Sequence, residues 1–558
     1  MADAKTKAKK TLSNSRVVLI VLGMAGLFFL YGGISSAEEM TKVEKLDENK
    51  ITLYKDIFDQ SFYSEAVNQL DFGRWGRKIF RKKIPSANVN VFDEVPDSNF
   101  FINRHERQKL SLAELEKGFC ETKGPDLSRP LTLVAAEQQD LHFEFVVEDA
   151  AKDQYILRFD RQTNLELNTA AEVIASRFYH AIGYNVPQYT ILFFKPEQIT
   201  IGKDAITCDN SGFVKKLDQI ILMRYLVSIP QTPDGFYRAS ANKVPAGESL
   251  GSFSFWSRRK NDPSDPVNHR DRREIRTLGI FSSWLNDYGI YESDTIDMLE
   301  KEGDQTFVQH YLASFTNALG AYIDGPKPPM FGYEHMVDYG EIFKTILAFG
   351  FREKPWQKKW RAAEQKPHPS PAVGYFSNQC FDPAKYKTEL PYEAFRVTTR
   401  ADGFWAAKIM ASFSDEDIRS LVKAGHYTDP EASDYIANTL IERRDIITRY
   451  WFSKVAPLDG FEFSNSKLSF KDLAADQGFE EEGSAVYLAE IFESGKHRKT
   501  LAKIDSRKPE LTIDPSWFKI APQIEVVIKA LRPDATKKSS AVVVLLTSDS
   551  IQGIHHED

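Results

Sequence analysis

The sequence predicts an α+β fold with more than one domain, and three observations support that class. Between residues 141 and 194 the pattern indicates two strands, a helix and a third strand. Between residues 414 and 451 it indicates two capped helices, and between 484 and 546 it indicates strands separated by polar turns. The 558 residues are enough for two or three domains with separate hydrophobic cores.

The first of these segments is a β-hairpin followed by a helix and a strand. Apolar and polar residues alternate in 141–147 and in 154–160, which is the period of half-buried strands. Residues 167–182 carry apolar side chains at helical spacing, and Gly183 is expected to end that helix. Residues 189–194 then predict another strand.

The most chemically informative part of the chain is an acidic stretch between a helix and a strand. The helix is predicted over 274–286, where one face is apolar, and the strand over 307–312. The stretch 287–297 between them contains four Asp or Glu residues and is too polar to be predicted as core. It is expected to be a polar loop held by the helix.

Three carboxylates of this loop are candidate metal ligands. Asp287, Asp294 and Asp297 lie within eleven residues, and carboxylate oxygens are ligands that Mg²⁺ prefers. A solvated acidic loop with no metal explains the same composition, and both interpretations remain open at the level of sequence.

The surrounding motifs resemble a family of exported bacterial proteins, mostly of unassigned function, with a divergent protein-kinase-like core. The matching residues are Asn261-Asp262-Pro263-Ser264-Asp265, His269 with Arg272 and Arg273, Trp284-Leu285-Asn286, Thr295 with Asp297, and His310-Tyr311-Leu312. The resemblance spans about residues 90–460. It implies a bilobal core, with a small β-rich lobe and a helical large lobe, and the hairpin, helix and strand of residues 141–194 suit the small lobe.

The same resemblance implies that phosphotransfer is impaired or absent. Kinase-like catalysis uses an Asp that orients the substrate hydroxyl, an Asn that helps to hold metal, and a second Asp that binds metal and phosphate. The corresponding positions here are Gly289, Asp294 and Ser314. Glycine has no side chain to act as a base, and serine is a neutral, weaker metal ligand than a carboxylate. Two of the three groups are therefore missing, and Gly289 and Ser314 are the degenerate positions.

Two further residues are candidates for nucleotide binding through the resemblance. A kinase-like small lobe pairs a strand Lys with a helix Glu, and the Lys reaches the nucleotide phosphates. This chain has Arg158 at the Lys position and Glu172 as the helix partner. The planar fork of Arg is not equivalent to Lys at a tight phosphate site. A salt bridge that only stabilises the lobe is the alternative.

The predicted domains follow from these segments. A kinase-like core is assigned to residues 91–456, where the last helices carry Arg443 and Arg444 as solvated or bridging charges. Residues 461–558 are assigned to a β-sandwich of the immunoglobulin-like or fibronectin-like type, because its strands are short and its turns polar. Residues 38–90 form an N-terminal extension.

The N-terminus predicts export. Basic residues precede the apolar run 17–31, and small residues end at Ala37, which is the pattern of a signal peptide over residues 1–37. An uncleaved anchor through residues 17–34 is the alternative. Cleavage would remove five basic residues and one acidic residue and change the net charge from −7 to about −11, which disfavours nucleic acid as a partner.

The three cysteines carry no predicted chemistry. Cys120, Cys208 and Cys380 are scattered and odd in number, so no disulfide framework or metal spacing results. Small buried apolar residues are the simpler interpretation.

These observations predict an exported, periplasmic or extracellular pseudokinase-like binding or scaffold protein of the cell envelope. Its partner is expected to be another envelope protein, and membrane contact is expected only through an uncleaved N-terminal segment. The alternatives are an atypical phosphotransferase with a shifted acidic metal site and a purely structural envelope protein. ATP and Mg²⁺ are the ligands expected if the cleft is open. The sequence does not predict the oligomeric state.

Overall fold

A computed structural model describes most of the chain beyond residue 50. The described residues are 51–64, 83–139, 142–208, 214–262, 264–303, 305–323, 325–327, 330–362, 368–495, 498–532 and 540–557. The predicted signal peptide or anchor lies outside the described residues. Among the residues described, no helix is both long and apolar enough to cross a membrane.

The described helices are α1 Leu53–Phe58, continued by a π-helical turn Asp59–Tyr63, α2 Leu112–Lys117, α3 Leu167–Ile182, α4 Gln219–Ser228, α5 Arg273–Leu285, α6 Tyr339–Leu347, α7 Pro355–Ala362, α8 Glu393–Arg396, α9 Arg400–Ala411, α10 Asp415–Lys423, α11 Pro430–Phe452, α12 Leu473–Asp476 and α13 Trp517–Ile520. Short 3₁₀ turns occupy Pro196–Gln198, His269–Asp271 and Glu292–Asp294.

The described strands are β1 Leu131–Gln139, β2 His142–Glu148, β3 Gln154–Phe159, β4 Tyr189–Phe194, β5 Ile199–Cys208, β6 Val214–Lys216, β7 Tyr237–Lys243, β8 Glu248–Ser249, β9 Thr295–Glu302, β10 Gln305–Leu312, β11 Ala321–Tyr322, β12 Gly325–Pro326, β13 Leu458–Ser464, β14 Lys467–Asp472, β15 Val486–Glu493, β16 Thr500–Ser506, β17 Glu510–Thr512, β18 Ile524–Leu531, β19 Val542–Leu546 and β20 Ile551–His556. Helices and several separate sheets together make this a mixed α+β protein, as the sequence predicts.

A seven-stranded sheet forms the first part of the fold. Its strand order is β4-β7-β3-β2-β1-β5-β6, and β1, β2, β3 and β7 are joined by antiparallel pairing. The 16 residues of α3 contact β3, β4 and β7. Alternating side chains such as Phe145, Leu157 and Ala239 are fully buried in the hydrophobic core of this sheet. The predicted hairpin, helix and strand of residues 141–194 are all confirmed, while β1 and β5 were not predicted.

A second core is built by helices around α5. Leu278, Phe281 and Leu285 are fully buried, as the apolar face of the predicted helix requires. This helix ends where Asn286 adopts the left-handed conformation that closes its last turn. The strand predicted over 307–312 is the second strand of the β9–β10 hairpin, which directly follows the acidic loop.

The long helices of this core begin where the sequence predicts. Ser414 and Asp417 form a reciprocal capping box at α10. Asp429 caps α11 ahead of Pro430. Of the two alternatives for Arg443, a solvated or a bridging charge, the solvated one is wrong, because its side chain is buried and its guanidinium donates to Ser283 O, Ser377 O and Asn378 Oδ1.

The C-terminal residues form two sheets that share one hydrophobic core. The three-stranded sheet has the order β13-β14-β17 and the five-stranded sheet the order β16-β15-β18-β19-β20. Leu468 and Leu511 from the first sheet and Ile491, Val526 and Val544 from the second are buried together. The three strands predicted in residues 484–546 are β15, β18 and β19, and they lie side by side.

A buried carboxylate joins the C-terminal sheets to the helical core. Asp93 accepts a hydrogen bond from Arg273 of α5 at 2.6 Å, and His556 Nδ1 lies 2.9 Å from its other oxygen. Val91 O accepts from the backbone N–H of Ile554 at 2.8 Å. The start of the core and the last strand are therefore held against each other.

Candidate functional site

The predicted pair of Arg158 and Glu172 is present, with one residue in the seven-stranded sheet and the other on α3. Arg158 on β3 donates to Glu172 on α3 at 3.2 Å and to Glu144 on the neighbouring β2 at 2.8 Å. Glu172 is fully enclosed and also accepts a hydrogen bond from Ser240 of β7. Burial opposes charge on the guanidinium, but Glu144 and then Glu172 hold the pKa of Arg158 well above its ordinary value. Arg158 is thus committed to two carboxylates.

The acidic loop meets this pair at the end of the sheet. Tyr189 of β4 donates its hydroxyl to Ala313 O at 2.7 Å, and Ala313 N donates to Asp294 O at 2.8 Å. Ser314 follows directly and is partly buried. Four of the sequence-predicted residues, Arg158, Glu172, Asp294 and Ser314, therefore belong to one region of the fold.

The pKa values of Asp287 and Asp294 are both raised above the ordinary value for Asp. Asp287 accepts a hydrogen bond from Tyr179 Oη at 2.9 Å, and burial raises its pKa to about 6. Burial, and then repulsion from Asp287, raises the pKa of Asp294 well above its ordinary value, although the Arg158 charge opposes this. Burial therefore makes both carboxyls weaker acids than an ordinary Asp, and repulsion from Asp287 adds to this effect at Asp294.

Gly289 has no room for a side chain. A Cβ atom built on Gly289 would lie 2.3 Å from Asn317 Nδ2 and 2.9 Å from Tyr291 Oη. Asn317 is buried and donates to the carbonyl of Gly289 at 3.3 Å, so its position is fixed by the loop. The position that the resemblance assigns to the catalytic Asp is filled by neighbouring side chains.

Asp297 does not join the other two carboxylates in a metal site. It lies on β9, fully buried, where Arg259 Nε donates to one oxygen at 2.7 Å and His310 Nδ1 lies 2.5 Å from the other. Among the described residues, no group of three or more His, Cys, Asp and Glu side chains is arranged to hold a metal ion. The three-carboxylate site is wrong in this form, because ion pairing occupies Asp297.

The acidic loop is not solvated, which corrects the alternative interpretation of its composition. Asp287, Tyr288, Ile290, Tyr291 and Glu292 are all buried. The loop can be buried because tyrosine hydroxyls and backbone N–H groups satisfy its carboxylates, and that arrangement is invisible in the local sequence.

A further contact of the acidic loop comes from the N-terminal extension. Asp56 of α1 is buried and accepts hydrogen bonds from the Glu292 N–H at 2.8 Å and from Tyr392 Oη at 2.6 Å. Burial raises the pKa of Asp56 to about 7, and the nearby Asp56 carboxyl adds to burial in raising the pKa of Glu292. Asp56 therefore fixes α1 against the acidic loop.

Two more charged residues beside the loop were missed by the sequence analysis. Lys327 is buried and donates to Asn286 O at 2.6 Å, and burial followed by the Arg443 charge lowers its pKa well below the ordinary value. Glu389 is buried and accepts a hydrogen bond from Tyr291 Oη. No local motif marks either residue, since both come from loops far along the chain.

Replacing Glu389 with Gln is expected to change how stability depends on pH. Burial raises the pKa of Glu389 to about 7, so the folded protein keeps this proton while an unfolded Glu loses it near pH 4.5. Wild-type stability should fall relative to the variant as pH rises from about 4.5 to 7, by about 3 kcal/mol, and change no further above that. Urea unfolding at several pH values measures this difference.

The control for this prediction is Glu490→Gln, because Glu490 pairs with Lys503 and both side chains are exposed. The hydrogen bond from Lys503 lowers the pKa of Glu490, so no fall over the same range is expected. Equal pH profiles for wild type and Glu389→Gln would show that Glu389 titrates normally in the folded protein.

The motif residues that carry the family resemblance form a structural network. Asp265 accepts from Arg272 at 2.8 Å, and His269 Nε2 lies 2.7 Å from its other oxygen. All three side chains are buried. His269 belongs to a 3₁₀ turn that leads into α5. These residues fix the turn that leads into α5.

Two concavities of the described structure are lined by other residues, and neither lining includes Arg158 or Glu172. One, of about 650 Å³, is bounded by Asp160, Glu166, Phe193, Phe236 and Arg238. Its arginine is engaged, since Arg238 donates to Gly425 O, to His426 O and to Thr169 Oγ1.

The other concavity is about 50 Å³ and lies among aromatic rings beside Arg443. It is too small for a nucleotide.

No protein-family model matches the chain, and comparisons with curated proteins and with solved structures found no significant match.

Proposed function

We propose that this chain is an exported pseudokinase-like binding or scaffold protein of the cell envelope, with impaired or absent phosphotransfer. Three features support a bilobal kinase-like core in this proposal. They are the antiparallel β1–β2–β3 meander, the position of α3 directly after β3, and the pairing of Arg158 on β3 with Glu172 on α3. The helices α9, α10 and α11 supply the second lobe of that interpretation. The C-terminal sheets are proposed as its docking module, a role assigned by analogy alone.

The observation that carries the proposal is the packing at Gly289. A general base must reach the hydroxyl that it orients, and this requires both a side chain and space for it. Gly289 has neither, because Asn317 and Tyr291 occupy the space that a Cβ atom would need. This packing supports the proposed absence of a general base at this position.

The charges of the site also suit a binding protein better than a phosphotransferase. Arg158 is shared by Glu144 and Glu172, so it is neutralised before any phosphate arrives. Mg²⁺ would have to displace a proton from Asp294, whose pKa is raised well above its ordinary value mainly by burial. Ser314 offers only a neutral oxygen.

The rival is an atypical phosphotransferase that uses a shifted acidic site. It is favoured by one observation, the electrostatic interaction of Asp294 with both Asp287 and Arg158. Two carboxylates next to a cation could bind a metal-phosphate group after a change in the positions of their neighbours. A purely structural envelope protein, the third candidate, predicts that no ligand binds.

Thermal unfolding of the full chain with millimolar ATP and Mg²⁺ or Mn²⁺ tests these proposals. We expect no shift in the melting temperature, whereas a ligand at one hundred times its dissociation constant would stabilise the fold by about 2.7 kcal/mol. ADP with metal and metal alone are the controls.

An Mg²⁺-dependent shift that Asp294→Asn removes would overturn the binding-protein proposal in favour of the phosphotransferase. Asp297→Asn is not a suitable probe of metal binding, because Asp297 pairs with Arg259 and its loss would act on folding. If nucleotide gives no shift, retention of an envelope protein by the immobilised chain separates a scaffold from a purely structural protein.

A further inference from the structure

A large apolar surface lies at one side of the described structure. Its side chains come from the α1 segment and from α6 and its flanking residues, and each is between 42% and 94% exposed. They are Tyr54, Phe58, Phe62, Tyr63, Met336, Tyr339, Ile342, Phe343, Ile346, Leu347, Phe349 and Phe351. We call these residues the apolar surface.

Helix α6 does not bury its apolar face within the described part of the chain. Ile342, Phe343, Ile346 and Leu347 recur at positions one and four residues apart, which places them along one side of a helix. None of the nine residues of α6 is buried. Soluble helices normally pack such a face against a core, so a contiguous exposed patch of this size indicates a docking surface.

The two parts of the apolar surface are held together. Tyr339 Oη donates to Ser61 O at 3.0 Å, which joins the start of α6 to the α1 segment. The rings of Phe58 and Phe62 contact each other with centroids 5.7 Å apart. Because Asp56 anchors α1 to the acidic loop, the surface has a fixed position on the core.

The charge around the apolar surface is basic, although the chain as a whole carries −7. Residues 338–361 contain six basic residues and three acidic ones. Within this segment Lys344 and Arg352 both pair with Glu341, and Arg361, which is 79% exposed, pairs with Glu353. In the sequence, residues 74–83 contain six basic residues and no acidic ones, but residues 74–82 lie outside the described part of the chain. Apolar side chains with a basic margin are complementary to a bilayer that contains anionic headgroups.

The position of α1 in the chain favours the same occupant. The apolar run 17–31 ends 20 residues before Ile51, and 20 extended residues span at most about 70 Å. If that run stays in a bilayer, the apolar surface is held near the same bilayer. We propose that the apolar surface docks on a phospholipid bilayer with anionic headgroups, which adds a membrane contact beyond the N-terminal segment.

Vesicle flotation of the full-length chain tests the proposal when the N-terminal run cannot insert. The parent chain carries Ile20→Asp, Met24→Asp and Phe28→Asp and is produced without export. We expect it to float with phosphatidylcholine vesicles that contain phosphatidylglycerol, and to float less at high salt because surface charges are screened. Adding Phe343→Asp and Ile346→Asp should weaken this partition by at least about tenfold.

The matched control places the same two charges on another exposed apolar helix face, with Ile220→Asp and Val227→Asp on α4. It should float like the parent. The melting temperatures of all three chains should agree, since the four changed side chains are exposed. A parent that stays in solution, or a control that loses binding as strongly as the test variant, overturns the proposal. A parent that is dimeric without vesicles and monomeric with the α6 substitutions would instead assign the surface to a second copy.

Discussion

Replacing Gly289 with Asp is expected to lower the free energy of unfolding by about 3 kcal/mol or more and to create no phosphotransferase activity. The new Cβ would lie 2.3 Å from Asn317 Nδ2, so a buried side chain must move. The carboxylate would also enter a region where burial already raises the pKa values of Asp287 and Asp294. Urea unfolding measures the loss, and Mg²⁺-dependent release of phosphate from ATP measures activity.

Gly340→Asp is the matched control for that substitution. Gly340 lies on exposed α6, where a Cβ atom would meet only the Asp338 side chain at 3.4 Å. Its effect should stay within about 0.5 kcal/mol, as for ordinary surface changes. Combining Gly289→Asp with Asn317→Ala should recover part of the lost stability. A Gly289→Asp chain that is as stable as wild type and hydrolyses ATP would refute the pseudokinase-like proposal.

Replacing Arg158 with Met is expected to cost about 3–5 kcal/mol of folding free energy. The substitution removes the cation from between Glu144 and Glu172, and Glu172 is then left as a buried carboxyl without a charge partner. Stability should recover in part when Glu172→Gln is added, because the stranded charge is removed. Urea unfolding of the single and double variants measures both effects.

Lys243→Met is the control for Arg158→Met. Lys243 pairs with Asp153 at 2.6 Å on the same sheet, but both side chains are partly exposed. Loss of that surface pair should cost no more than about 1 kcal/mol. If Arg158→Met costs as little as the control, the buried pair is not a stabilising feature of the lobe, and a role in ligand binding would be favoured.

The sequence predicted the helices and strands whose bounds depend on the local pattern of apolar residues and on local stop signals. The bounds 167–182 and 189–194 agree with α3 and β4, because an apolar period and a stop at Gly183 define them. Strand β9 was missed because its charged residues hide its alternation. It is ordered by pairing with β8 and β10, which the local pattern does not contain.

The candidate site could be predicted only in part, for the same reason. Arg158 and Glu172 are 14 residues apart and were identified as a pair. Asp56 reaches the backbone of Glu292 across 236 positions of sequence, and no periodicity reports such a contact. The sequence therefore left a metal site and a solvated segment open for the acidic loop, and it did not predict that partners from distant parts of the chain allow the loop to be buried.

The contact between Asp93 and His556 sets a limit on the order of folding. The two residues are separated by 463 positions, so this contact cannot form until nearly the whole chain has been synthesised. Closing so large a loop is slow, and contacts of high sequence separation form late. Until the last strand arrives, the Asp93 carboxylate lacks its His556 partner. Completion of the C-terminal sheets is thus coupled to the final packing of α5. A chain interrupted before β20 lacks the contact between His556 and Asp93.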